Sequence, residues 1–348
     1  MKTSGLSRYS RIGFVIAATL AGCGVLRPAQ DDMPSRIGAP GAMPQTPAVA
    51  SRVDWGKSWM LPEARGRTTL LYVSLDHRVA VYDYDTGKRV GSLTGLDDPY
   101  GGCVDAKGDV YITEYFNGDT VEYAHGGTKV LKTFASDGQA WGCSVDGRSD
   151  LAVTDRDTRT GAGQVCVWKS GKSAQSTCYG GRPACDMMSP AGYDDKGNLF
   201  VPGEDNATGD VCVLLAGATS MTELPLSYSF NTPGAAMWDG KYMTLGDEGA
   251  NGEEEGIVRV TISGSTLHEV GRTLLSDTCY AEWEIELAPF ILGLKNTPVN
   301  REESKVVVAN NSRCADQGAK LWKYTAGGYP YKAIASAKGL VAAISIGR

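Results

Sequence analysis

The sequence predicts an all-β fold: a six-bladed β-propeller whose N- and C-terminal strands close one blade. Three observations carry this. The first is a recurrent strand that runs into a glycine turn. It reads VAVYDYDTGK (79–88), TVEYAHGGTK (120–129), QVCVWKSGKS (164–173), DVCVLLAGAT (210–219), IVRVTISGST (257–266) and KLWKYTAGGY (320–329). Apolar and polar residues alternate in each, as in a half-buried strand, and the glycine supplies the positive φ that a hairpin turn needs. From Gly87 through Gly127, Gly171, Gly217, Gly264 and Gly327 the spacings are 40, 44, 46, 47 and 63. A repeat of about 40–50 residues with several strands per unit is the signature of a propeller blade. The second observation is another repeating strand just before it: TLLYVSLD, DVYITEY, DLAVTDR, NLFVPGE, KYMTLGDE and SKVVVANN. The third lies at the two ends. The first unit begins with LLYVSL and lacks an inner strand, while GLVAAISIG (339–347) reads as an inner strand with nothing after it. Pairing the two completes a blade and removes an open sheet edge, which would otherwise template aggregation.

The inner strands read YGGCVD, AWGCSVD, PAGYDD and GAAMWDG in four units, and the fifth falls within 279–293. Gly101, Gly142, Ala191 and Ala235 are small, as crowding around a central axis demands.

The N-terminus reads as address rather than fold. Residues 1–22 carry Lys2, Arg8 and Arg11, then a short apolar run from Ile12 to Leu20, too short for the ~20 residues of a membrane crossing. Leu20-Ala21-Gly22-Cys23 resembles the bacterial lipobox, which implies lipidation of Cys23 and a location at the cell envelope, facing the periplasm or the exterior. Residues 23–66 comprise that cysteine and a Pro/Ala/Gly-rich tether; Trp55, Trp59, Met60 and Leu61 at its end are expected to dock on the domain, which is placed at 67–348. The removed signal holds three basic residues and no acid, so the whole-chain charge of -6 becomes -9. With no Lys/Arg block, this argues against a nucleic-acid partner. Membrane contact is expected through the lipid only, and the protein is expected to be a monomer.

Apart from Cys23, the cysteines are Cys103, Cys143, Cys166, Cys178, Cys185, Cys212, Cys279 and Cys314. An even number in an exported chain favours disulfides. Cys103 and Cys143 hold the same place on successive inner strands, and Cys166 and Cys178 flank one hairpin turn. Cys185 with Cys212 and Cys279 with Cys314 complete the expected set.

The repeated V-D-x-x-G-x-[VL]-[YAF]-[IV]-T-[DE] pattern, in CVDAKGDVYITE and more loosely in CSVDGRSDLAVTD, resembles NHL repeats and the related gluconolactonase-like propellers over residues 67–348. The resemblance implies a six-bladed architecture shared by binding scaffolds, lyases and hydrolases, so it does not select an activity. The enzymes of that group hold a metal with a Glu, an Asn and an Asp, a set with no residue-by-residue counterpart here.

The second strands end in polar residues: Asp76, Glu114, Asp155, Glu204 with Asp205, Asp247 with Glu248, and Asn310 with Asn311. Two readings attach to them. A ring of oxygens could hold Ca2+ or another divalent cation, which takes roughly 6–8 oxygen ligands, and so serve a lactonase-like hydrolase. Alternatively each caps its own loop by accepting backbone N–H groups. The loop 246–256 starts like a calcium loop but has Val258 where the closing Glu belongs. Three isolated histidines and no G-x-S-x-G motif with a His partner leave a Ser-His-Asp relay without its parts. The functional expectation is therefore a binding or scaffolding module for a protein or carbohydrate, with no catalytic residue assigned and no resident cofactor.

Overall fold

The computed structural model describes residues 56–345, apart from 67–68, 137, 172, 181–186, 206–207, 229–232, 248–255, 277–284, 289–304, 309–318, 335 and 337–338. The expected signal, Cys23 and most of the tether lie outside these residues, as do Cys185, Cys279, Cys314, Glu248, Asn310 and Asn311.

The strands run in chain order as β1 (Trp59–Met60), β2 (Leu70–Leu75), β3 (Arg78–Asp83) and β4 (Arg89–Thr94). Then come β5 (Pro99–Val104), β6 (Val110–Glu114), β7 (Thr120–Tyr123) and β8 (Val130–Phe134), followed by β9 (Gly138–Val145), β10 (Leu151–Asp157), β11 (Gly163–Trp168) and β12 (Thr177–Gly180). The next group is β13 (Met187–Met188), β14 (Gly192–Tyr193), β15 (Leu199–Asp205), β16 (Thr208–Leu214) and β17 (Thr222–Glu223). After it come β18 (Pro233–Trp238), β19 (Met243–Asp247), β20 (Gly256–Ser263) and β21 (Thr266–Leu274), then β22 (Ile285–Ala288), β23 (Lys305–Val308), β24 (Ala319–Lys323) and β25 (Lys332–Ile334), and finally β26 (Leu340–Ser345).

Among the described residues these form six antiparallel sheets. Five are built from strands consecutive in sequence. In the remaining sheet the order is β1-β4-β3-β2-β26, so the last strand pairs with the second, from Leu70↔Ser345 to Ser74↔Leu340. The inner strand expected within 279–293 is β22.

Both faces of most strands are covered, so their apolar residues run continuously instead of alternating. Successive side chains serve different cores because strand side chains alternate sides. Val110 and Ile112 join the cluster of the first sheet, while Tyr111 packs with Leu151, Val153 and Trp168 of the third. Ala152 turns the other way, toward Leu199 and Val201, and Phe200 packs against Met243 and Leu245. Ile257 meets Trp322 and Tyr324. Ala319, Leu321 and Ile334 of the β22–β25 sheet share a cluster with Leu71 and Val73 of β2.

The folded unit starts before the expected boundary at 67. Trp59 and Met60 pair with Ser92 and Gly91 of β4, the Leu61 N–H donates to the Val90 carbonyl at 2.8 Å, and Ala64 is fully buried. These apolar residues gain more from covering the edge of β4 than from staying in a solvated tether.

Of the two described disulfides, one joins neighbouring sheets and the other lies within a sheet. Cys103–Cys143 links β5 to β9 across neighbouring sheets, and Cys166–Cys178 is a cross-strand pair of β11 and β12. Cys212 is also disulfide-bonded; because the other described cysteines pair with one another, its partner lies outside the described residues.

Candidate functional site

The hairpins between inner and second strands are built by a repeated aspartate. Oδ1 of Asp105 accepts the N–H groups of Lys107 and Asp109 at 2.8 and 2.9 Å. Oδ1 of Asp146 does the same for Arg148 and Asp150, both at 2.8 Å, and Asp194 for Lys196 and Asn198 at 2.9 and 2.8 Å. Asp239 caps a shorter turn through Lys241 and Tyr242. These are Asx turns: a short side chain replaces a missing backbone acceptor. The third residue after each of the first three aspartates has positive φ: Gly108, Gly197 and, without glycine's freedom, Ser149 at 66°. The V-D-x-x-G motif thus records a hairpin, and its Asp holds the turn through these hydrogen bonds.

These turns also define register. Glu114 and Asp155 each lie nine residues after their turn aspartate; the same step from Asp194 reaches Gly203, not Glu204. Leu71 and Val73 face the preceding sheet as Val110 and Ile112 do, so Leu75, not Asp76, holds the matching position in β2. Met243 and Leu245 likewise face back, which puts Asp247 in register. The expected equivalence of the second-strand ends therefore holds for some of these residues and not for others. The matching positions are Leu75, Glu114, Asp155, Gly203 and Asp247. Asp76, which is exposed beyond β2, and Glu204 in β15 stand one position past these places, and Asp205 two, so none of them holds the position of Glu114.

The in-register acids serve the protein. Glu114 is 5% exposed; its Oε1 accepts the Asp97 N–H at 2.6 Å and its Oε2 the Asn117 amide at 3.0 Å. Burial pushes its pKa up, opposed by those two hydrogen bonds. Asp247 is buried and ion-paired to Arg272 at 3.0 Å, and that guanidinium also lies over the Tyr228 ring. Asp155 is buried at a register shift in β10, with Gly138 packed against its carboxyl group. Among the described residues no three His, Cys, Asp or Glu side chains are grouped so that they could hold a metal.

What the same end of the sheets does assemble is aromatic. Tyr100 near the start of β5, Tyr115 and Phe116 just past β6, and Trp141 in β9 form one cluster. Ring centroids are 5.4 Å apart for Tyr100–Trp141, 5.3 Å for Tyr115–Trp141, 5.8 Å for Tyr100–Tyr115 and 5.2 Å for Tyr115–Phe116. Tyr100, Tyr115 and Trp141 are half-buried, while Phe116 is 59% exposed. The backbone beneath is held from several sides. The Tyr115 N–H donates to the carbonyl of Asp98, itself at φ 55°, and the buried Thr113 hydroxyl reaches the Gly101 and Trp141 carbonyls at 3.0 and 3.3 Å. A Cβ on Gly101 would collide with the Trp141 carbonyl, so only glycine allows β5 and β9 to approach this closely. Arg156 and Asp98 act electrostatically on the Tyr115 hydroxyl. The sequence signal was present in YGG and EYF near strand ends and in AWG within β9, but it took the sheet arrangement to bring the rings together.

This architecture is a β-propeller. The chain is similar to solved structures of that fold: a protein of unknown function from Bacteroides caccae (12% identity, TM-score 0.54, 81% of this chain and 99% of that one) and hydrazine synthase of Kuenenia stuttgartiensis (13%, 0.51, 77% and 83%). A functionally unknown protein from Desulfotomaculum acetoxidans is a third (12%, 0.50, 80% and 99%). At such identities the likeness is one of fold alone. No protein-family model and no curated protein matches the chain.

Proposed function

We propose that this protein is an exported, lipid-anchored, monomeric binding module of the cell envelope, a six-bladed NHL-like propeller whose ligand face carries the second-strand ends. The blade count draws support from six sheets, each sharing a buried apolar cluster with the next, and from the β2–β26 pairing. The anchor draws support from Leu20-Ala21-Gly22-Cys23. The observation that carries the binding reading is the aromatic cluster of Tyr100, Tyr115, Phe116 and Trp141, a partly exposed apolar surface on a rigid scaffold. The lactonase-like alternative gains nothing from Glu114 and Asp247, whose carboxylates are spent on protein donors. No nucleic acid is assigned to this face.

The test is expression of the full chain in a bacterium. Wild type is expected in the membrane fraction and Cys23→Ala in the soluble one. The soluble form is expected to bind isolated envelopes saturably, less so with Phe116→Ala. Equal solubility of both proteins overturns the anchor, and unsaturable or absent envelope binding overturns the module.

A further inference from the structure

We infer that the aromatic cluster where β5, β6 and β9 meet is a carbohydrate platform whose ligand is an uncharged oligosaccharide; the inference rests on the binding-module reading above. Phe116 is the starting point. At 59% exposure its ring adds little to the core, and keeping such a surface in water costs free energy that packing does not return. Its neighbours extend that surface into a continuous wall, because Tyr115 touches Phe116, Tyr100 and Trp141.

The ring geometry decides between ligand classes. A quaternary ammonium needs space between rings so that it can sit over several faces. Here the centroids are 5.2–5.8 Å apart, the separation of rings already in contact, which leaves no such gap. Only outward faces and edges remain, and a wall of that kind suits a flat molecule with an apolar face. A single-stranded nucleic acid would stack, but it also needs a basic groove. The charged neighbours are exposed Asp97 and half-buried Asp98, with Arg156 as the cation near the Tyr115 hydroxyl. Asp76 and Asp97 add negative charge around Asp98, against which His77 works. That rim repels an anionic chain. A neutral sugar ring fits both parts, since its C–H face lies on the aromatic wall and its hydroxyls meet the carboxylates, the guanidinium and the phenol. The wall is also rigid, because Asp98, Thr113 and Gly101 fix the backbone beneath it, so little ordering cost falls on binding.

The experiment titrates the Cys23→Ala protein with unsubstituted β-1,4-glucose and N-acetylglucosamine hexasaccharides. It follows tryptophan fluorescence and ligand NMR saturation transfer, alongside competition with envelope binding. Binding by one of these sugars is expected, weakened about tenfold by Phe116→Ala and unchanged by Leu131→Ala, an exposed apolar residue of β8. Tyr115→Ala, checked for folding by circular dichroism, gives a second measure. Sugar binding that ignores both aromatic substitutions overturns the platform. Envelope binding that depends on Phe116 but is matched by neither sugar, or is competed instead by choline or an oligonucleotide, overturns the carbohydrate assignment and leaves the binding module standing. Loss of envelope binding altogether overturns the module itself.

Discussion

Glu114 sits 5% exposed at the end of β6, accepting hydrogen bonds from the Asp97 N–H and the Asn117 amide. Desolvation raises its pKa above the ordinary 4.5, and the nearby charges of Asp119 and Asp97 add to the rise. In the unfolded chain it ionises near 4.5, while the folded protein keeps the proton to higher pH. Between those values the folded state binds more protons, so this residue makes stability fall as pH rises through the window. Glu114→Gln retains an acceptor for the Asp97 N–H and removes the titration. Urea unfolding midpoints measured from pH 4 to 7 are expected to show a shallower decline for the variant. Parallel curves would mean that the buried carboxyl is not what the pH dependence reports. The raised pKa values of Asp98 and Asp119 act in the same direction in both proteins, so the difference isolates Glu114. The capping role of such acids was one of two readings open from sequence, whereas the equivalence of Asp76 and Glu204 with Glu114 was not real. A run such as VPGE shows an acid near a strand end, but only the hairpin register tells which side of the sheet that position faces.

The elements are short, and cross-links between them matter accordingly. Cys103–Cys143 joins inner strands of neighbouring sheets at a separation of 40 residues; Cys166–Cys178 closes a hairpin at 12. In the chain-entropy view, the longer loop restricts the unfolded chain more. Replacing Cys103 and Cys143 by Ala is expected to cost about 4 kcal/mol and replacing Cys166 and Cys178 about 3 kcal/mol. Denaturant unfolding of the two double variants measures both. The reverse order would mean that the hairpin is held by its bridge more than by its ladder. These two pairs were legible because Cys103 and Cys143 fall at corresponding points of the repeat and Cys166 and Cys178 flank one hairpin turn. The start of the folded unit was not legible to the residue, because nothing local in WGKSWMLPEA shows that β4 offers it a free edge.

At the scale of the molecule, the β2–β26 pairing holds the two ends of the domain together through five residue pairs, from Leu70↔Ser345 to Ser74↔Leu340. Removing residues 339–348 leaves the backbone donors and acceptors of β2 bare on one side and opens the cluster that Leu71 and Val73 share with Leu321. The truncated chain is expected to lose its sharp thermal transition and to self-associate, as calorimetry and light scattering would show. A monomer that melts as the full chain does would mean that the remaining sheets hold one another without this clasp.

Fold class, strand order and the pairing of the two ends are all legible in the chain before it folds. Alternation, turn glycines and turn aspartates are local signals, and a repeat prints them many times over. The exposed aromatic face comes from the tertiary structure alone. Tyr100, Tyr115, Phe116 and Trp141 come from two sheets and become neighbours only when β5 and β9 approach at Gly101. Likewise, the roles of Glu114 and Asp247 depend on donors brought to them by other segments, Asp97 and Arg272, whose positions no local pattern encodes.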